Sequence, residues 1–200
     1  MGNTKVILFD ADGVLTLPEE VFTVMYSKSH GLDTGPFEQF FRSEWEAIVT
    51  GKQDLKETIA ANPELWQWNG STDELLEYWF KTEDVRNEEL LTLIGELKQQ
   101  GLSCYLATDQ ERYRGEYMKN VMFKDLFDGY FISSELGVTK TDPKFFELII
   151  EQFKHTHPDL LPSEIVFYDD SRSKVDTACS VGINGELYKS VGQVKEFLLS

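Results

Sequence analysis

The 200-residue chain is poor in several residue types, and each shortage excludes something. Two cysteines, Cys104 and Cys179, are too few for a disulfide scaffold and lie at no metal-ligand spacing. Both read as small buried apolar residues in a reducing compartment. Basic residues are scarce: 19 Lys and Arg face 35 Asp and Glu, a formal net charge of −16. A nucleic-acid binder needs a basic footprint, and an anionic lipid surface would repel such a chain. No apolar run approaches the roughly 18 residues of a membrane span. The first one, Val6 to Phe9, is cut off by Asp10 too early for a signal-peptide core. Glycine-rich phosphate loops of the GxGxxG or GxxxxGK type are absent. The expectation is a cytoplasmic protein whose partners include neither nucleic acid nor membrane. Hydrophobic content of 41% and aromatic content of 13% rule out a disordered acidic tail. The length suits one core, or one core with a small insertion.

Three nearly continuous apolar runs stand out: Lys5 to Phe9, Ser103 to Ala107 and Ile165 to Tyr168. Strands buried on both faces read this way, and they belong to parallel sheets covered by helices. Tyr130–Ile132 and Ile183–Tyr188 are weaker strand candidates. Helical patterns lie between them. Asn87 can cap a helix that runs to Gln100 and stops at Gly101. Asp142-Pro143 places a cap and a first-turn proline ahead of Phe145, Phe146, Ile149, Ile150 and Phe153. Ser173 to Val181 reads as a further helix ended by Gly182. Alternating strands and helices predict an α/β fold, a doubly wound parallel sheet.

Residues 17–86 depart from the alternation. They read as consecutive helices over Pro18–Ser29, Pro36–Val49, Gln53–Ala61 and Thr72–Lys81. Ser71-Thr-Asp-Glu74 has capping-box spacing. All four tryptophans fall in this block, which is strongly acidic. Phe37, Phe40, Phe41, Arg42 and Trp45 read as its packing core, with the alternative that one or two line a pocket. The expected organisation is a core of residues 1–16 and 87–200 with an inserted all-α domain at 17–86.

The polar residues that end the strands carry the chemistry. Asp10 ends the first run, Thr108 the second, and Asp169-Asp170 the third. Ligands of open α/β sheets bind beyond the carboxyl ends of the strands, so these residues are expected to meet at one edge. Asp10, Asp12, Asp169 and Asp170 together would repel one another. Two like charges about 4 Å apart cost ~4 kcal/mol at an effective dielectric of about 20. Some must take up protons, or a cation must sit among them. Oxygen ligands without His or Cys suit Mg²⁺, and a metal so placed neutralises a phosphate. Arg112 and Arg114 read as a solvated helical face.

These residues also carry a resemblance. Asp10-Ala-Asp12-Gly13-Val-Leu-Thr16 after an apolar strand resembles the first motif of the haloacid dehalogenase-like hydrolase superfamily. Leu106-Ala-Thr108 is similar to the second. Gly137-Val-Thr-Lys140-Thr-Asp142-Pro143 resembles the third, and Val166-Phe-Tyr-Asp169-Asp170-Ser171 the fourth. All four stand in the family's order. The helical block after the first motif resembles the all-helical cap of one subfamily, on a Rossmann-like core. The resemblance implies a Mg²⁺-dependent phosphatase that hydrolyses a small phosphorylated metabolite through an aspartyl-phosphate. Asp10 is then the nucleophile and Asp12 the general acid and base. Asp10, the backbone carbonyl of Asp12, and Asp170 hold the metal, with Asp169 either beside them or a direct ligand. Thr108 binds a phosphoryl oxygen and Lys140 balances charge. Lys140 is preferred to Lys144, which falls inside the helix opened by Asp142-Pro143. Asp109 replaces the family's frequent Asn and adds a carboxylate at the substrate mouth, and Thr141 replaces its usual proline. Alternatives are a sugar-phosphate phosphomutase and a catalytically silent phospho-ligand binder. Asp12 speaks against a dehalogenase, because a departing halide needs no proton.

Overall fold

The computed structural model describes residues 4–199. Its centre is a five-stranded sheet of β1 (Val6–Phe9), β2 (Ser103–Thr108), β3 (Gly129–Ile132), β4 (Ile165–Asp169) and β5 (Asn184–Leu187). All pairings are parallel, in the order β3-β2-β1-β4-β5. The doubly wound α/β architecture is therefore the observed one. Each strand's alternate residues serve opposite faces. Ile7, Phe9, Leu106, Val166 and Tyr168 join one apolar cluster, while Val6, Leu8, Ala107, Ile165 and Phe167 join another. That two-sided burial is why the strands read as unbroken apolar runs.

Helices α7 (Glu88–Gln99) and α12 (Val191–Leu199) lie on the first side; α10 (Pro143–Thr156) and α11 (Arg172–Ser180) lie on the second. The caps behave as their chemistry requires. The Asn87 side chain accepts from Leu90 N, and the Asp142 side chain accepts from Lys144 N. Cys104 is buried, but Cys179 is exposed near the end of α11, contrary to the expectation that both are buried. Its thiol lies at the sheet's edge, 3.8 Å from Gly185 O of β5, where solvent still reaches it.

Between β1 and β2 the chain forms α1 (Phe22–His30), α2 (Gly35–Ser43), α3 (Trp45–Val49), α4 (Leu55–Ala61), α5 (Pro63–Trp66) and α6 (Thr72–Glu83). These helices bury an aromatic-rich cluster of their own, including Phe22, Tyr26, Phe37, Phe40, Trp66 and Trp79. The capping box of Ser71 and Glu74 is formed. The expected Pro36–Val49 helix is broken at Glu44, and α1 starts later than Pro18. The insertion leaves and rejoins the core through a narrow neck. There Leu17 N donates to Val85 O at 2.8 Å, and Asn87 N to Leu15 O at 2.8 Å. No helix among the described residues is long and apolar enough to cross a membrane.

Candidate active site

Connections from β1 run outward through β2 to β3, then cross to β4 and β5 on the other side of β1. The switch point lies between β1 and β4, and a crevice opens there beyond their carboxyl ends. Asp10 follows β1 directly, and its N–H extends the ladder to Tyr168 O at 2.9 Å. Asp169 closes β4. Thr108 closes β2, two residues beyond Leu106, the register partner of Phe9. The sheet thus brings all three expected strand ends to one edge.

Lys140 reaches this edge from the loop before α10. Its ammonium is fully buried and lies 2.5 Å from Asp10 Oδ1 and 2.7 Å from Asp169 Oδ2. Its backbone N donates to Asp109 Oδ1 at 2.9 Å, so Asp109 holds the lysine loop in place. Lys144, by contrast, sits on the surface opposite Glu147. The carboxylates around Lys140 keep its ammonium protonated, above the ordinary lysine range despite burial. Burial pushes the Asp10 carboxyl up to about 6; Lys140 opposes the rise, and nearby Asp169 adds to it.

Asp10, Asp169 and Asp170 each offer a carboxylate oxygen within 4.8 Å of the others'. Asp169 spends both oxygens on protein donors, Lys140 Nζ and Ser171 N at 2.8 Å. Asp170 is more exposed, and burial together with the Asp10 charge raises its pKa. Gly13 makes this arrangement possible. Its φ is +80°, and a Cβ there would stand 2.2 Å from Asp170 Oδ2. The sharp exit from β1 and the close approach to Asp170 both require glycine. Lys174, on the first turn of α11, was not singled out in the sequence. It lies 3.9 Å from Asp10 Oδ2 and 3.4 Å from Asp109 Oδ2. Four carboxylates (Asp10, Asp109, Asp169 and Asp170) thus meet two ammonium groups. Two negative charges are left over, which one divalent cation would neutralise. Hard oxygen donors and that charge deficit fit Mg²⁺.

Asp12 turns away from this cluster into a second network. Arg114 Nη2 and Nη1 donate to its two oxygens at 2.8 and 3.0 Å, Gln110 Nε2 at 2.5 Å and Thr16 Oγ1 at 2.8 Å. Arg114 also meets Glu83, the last residue of α6, at 3.1 Å. The expectation of a solvated face at Arg112 and Arg114 holds only for Arg112. Arg114 is 6% exposed because α8 (Arg112–Tyr117) turns it inward against the insertion. Glu111 caps α8, accepting from Tyr113 N and Arg114 N. Burial pushes its carboxyl up to about 7. No spacing rule marks Arg114 or Gln110, since a neighbouring element supplies their partners. Lys174 was findable as the lysine four residues after Asp170.

Asp12 and Arg114 form the floor of a cavity of about 530 Å³ beneath the insertion. Phe41, Trp45 and Trp79 line it, so the pocket alternative for Phe41 and Trp45 is the observed one. Phe40 packs inside the insertion, Phe37 packs there and borders a second cavity, and Arg42, expected in that core, is exposed.

Comparison with known proteins agrees with this geometry. A family model of haloacid dehalogenase-like hydrolases matches residues 4–182, and the chain belongs to that family. It is 32% identical over 97 residues to sesquiterpene phosphatase astK of Aspergillus oryzae, a match covering 48% of this chain and 47% of that protein. The chain thus matches about half the length of that curated relative. Among solved structures, the HAD family enzyme bt-2542 of Bacteroides thetaiotaomicron, in complex with magnesium and inorganic phosphate, superimposes with a TM-score of 0.77. The two are 18% identical, with 96% of this chain and 98% of that one covered. A HAD phosphatase from Thermococcus onnurineus gives a TM-score of 0.64 at 21% identity, with 98% of each chain covered. At these identities the likeness is one of fold.

Proposed function

We propose that this hydrolase is a Mg²⁺-dependent phosphatase acting on a small phosphorylated metabolite, with residues 17–86 as a cap over a core of residues 1–16 and 87–200. The observation that carries the reading is the buried Asp10 carboxylate, paired with Lys140 and grouped with Asp169 and Asp170. The phosphatase astK and the magnesium and phosphate complex of bt-2542 support it.

Asp10 and Asp170, with the backbone carbonyl of Asp12, would hold Mg²⁺, and Asp169 would orient Lys140 beside them. The bound metal supplies positive charge against the phosphoryl oxygens. Asp10 attacks phosphorus, and the bond to the alcohol oxygen breaks. Asp12 acts as the general acid and gives a proton to that oxygen. A water then attacks the phosphorus of the aspartyl-phosphate and loses its proton to Asp12. Inorganic phosphate leaves and the Asp10 carboxylate returns. Lys140 compensates charge on Asp10 throughout, Thr108 donates to a phosphoryl oxygen, and Asp109 holds the Lys140 loop at the substrate mouth. A cap closing over Asp12 excludes bulk water from the intermediate.

Phosphate release from phenyl phosphate tests the reading. Activity that needs Mg²⁺, is lost with chelator and is absent in Asp10→Asn supports it. Chelator-insensitive release, or an active Asp10→Asn variant, overturns it.

A further inference from the structure

The cavity above Asp12 bears on which alcohol leaves. Its apolar lining comes from Leu17 and Pro18 on the neck, Val21 before α1, Phe41 on α2, Trp45 on α3 and Trp79 on α6. Its carboxylates and the Thr16 hydroxyl are already spent on one another and on Arg114, and Trp79 Nε1 and Arg114 Nε are the buried donors left without a partner among the described residues of the lining. Thr16 donates to Asp12, and Arg114 bridges Asp12 and Glu83. Glu83 also accepts from Phe22 N at 2.7 Å. Thr23 is the remaining hydroxyl in the lining. With so few free partners, a polyol or nucleoside would leave most of its hydroxyls unpaired here, at a cost of roughly tenfold in affinity for each. Arg114 is the cation of this lining and is held by two carboxylates, so a second anionic group on the substrate finds no partner.

Two further observations agree. Large hydrophobic side chains exposed among the described residues include Leu17, Val21 and Val85, at 47%, 57% and 45%. Leu17 and Val21 line the cavity, and Val85 is bonded to Leu17 through the backbone. Exposed apolar residues grouped at a cavity indicate an apolar ligand. A second cavity, of about 540 Å³, shares Val21, Thr23 and Phe41 with the first and continues between α1 and α2 past Val24 and Phe37. Val21, Val24, Phe37 and Phe41 give a chain leaving Asp12 an apolar wall to follow, with Thr34 and the exposed Glu38–Arg42 pair also bordering this second cavity.

We infer that the substrate is the monophosphate ester of a long apolar alcohol, of terpenoid or alkyl type, whose hydrocarbon lies along Phe41, Trp45 and Val21. The inference rests on the phosphatase reading above, and the cavity decides only the leaving group. Each methylene withdrawn from water contributes roughly fourfold to kcat/KM until the cavities are filled.

The test compares farnesyl monophosphate and dodecyl phosphate, below their micellar concentrations, with glycerol 3-phosphate and glucose 6-phosphate; phenyl phosphate is the reference. The apolar esters are expected to exceed the polyol phosphates at least 100-fold in kcat/KM. Val21→Asp, at an exposed rim position, should lower the ratio of farnesyl to phenyl phosphate turnover at least tenfold. Independently of turnover, farnesol should change tryptophan fluorescence of the metal-free protein saturably, and glycerol should not. Polyol phosphates matching the apolar esters, with phenyl phosphate still hydrolysed, would overturn the inference and leave the phosphatase reading standing. No release from any ester would overturn both, whether or not farnesol binds.

Discussion

At the scale of single residues, Gly13 ties a backbone requirement to the proposed metal site. Its φ of +80° and the 2.2 Å approach that a Cβ would make to Asp170 Oδ2 arise from the same turn. Gly13→Ala would strain the turn and displace the Asp170 carboxylate together. The expected outcome is a loss of at least tenfold in Mg²⁺ affinity and about 1–3 kcal/mol in stability. Mg²⁺ titration by calorimetry, with urea unfolding alongside, checks both. An unchanged Mg²⁺ affinity would mean that Asp170 is not a ligand. Several residues of this edge were legible in the sequence because their positions follow from local pattern. Asp10, Thr108 and Asp169 each end an apolar run, and any strand-end reading finds them. Gly13 belongs to the same stretch. Arg114 and Gln110 escaped because their partners come from other elements, and nothing local marks them.

Secondary-structure elements tell a similar story with a different cause. The three central strands β1, β2 and β4 were legible because burial on both faces removes polar residues from them, while the edge strand β5 keeps Asn184 and Glu186 and reads weakly. Caps at Asn87, Ser71 and Asp142 were legible because side-chain capping is local chemistry. The break at Glu44 carries no glycine or proline. It separates two helices that bury different residues, and only the packing of the insertion shows it. The α6–α8 contact was likewise hidden, since Arg114 and Glu83 are 31 positions apart in sequence. It joins the insertion to the proposed acid–base residue, because one guanidinium serves both Glu83 and Asp12. Arg114→Met leaves the Glu83 carboxylate buried without its cation, and breaking a buried pair costs about 3–5 kcal/mol. Adding Glu83→Gln removes that charge but keeps an acceptor for Phe22 N. The double variant is therefore expected to recover at least ~1 kcal/mol of the loss in urea unfolding. Turnover should stay low in both variants, because Asp12 has lost its positioning partner. Strictly additive stabilities would show that the two side chains do not couple.

The whole molecule carries a net charge of −16, and its stability is expected to follow pH in two separate windows. Asp84 is held below the ordinary carboxylate range, chiefly by its hydrogen bonds from Arg86. Its contribution is present above the ordinary carboxylate pKa and is lost as acid protonates it. Glu111 works the other way. Burial raises it from 4.5 to about 7, so between these values the folded state holds a proton that the unfolded chain has released. Its contribution is complete below 4.5 and is lost as pH rises through 7. Self-repulsion of an acidic chain acts in the same direction over that range, so the wild type alone cannot isolate Glu111. Glu111→Gln can, since the amide oxygen still accepts from Tyr113 N and Arg114 N and carries no charge at any of these pH values. In chelator, the wild type is expected to lose on the order of 2 kcal/mol more than Glu111→Gln between pH 5 and pH 8. Urea midpoints for both proteins at the two pH values measure the difference. Parallel losses would mean that Glu111 ionises without penalty, and that the cap of α8 is open to water where this structure encloses it.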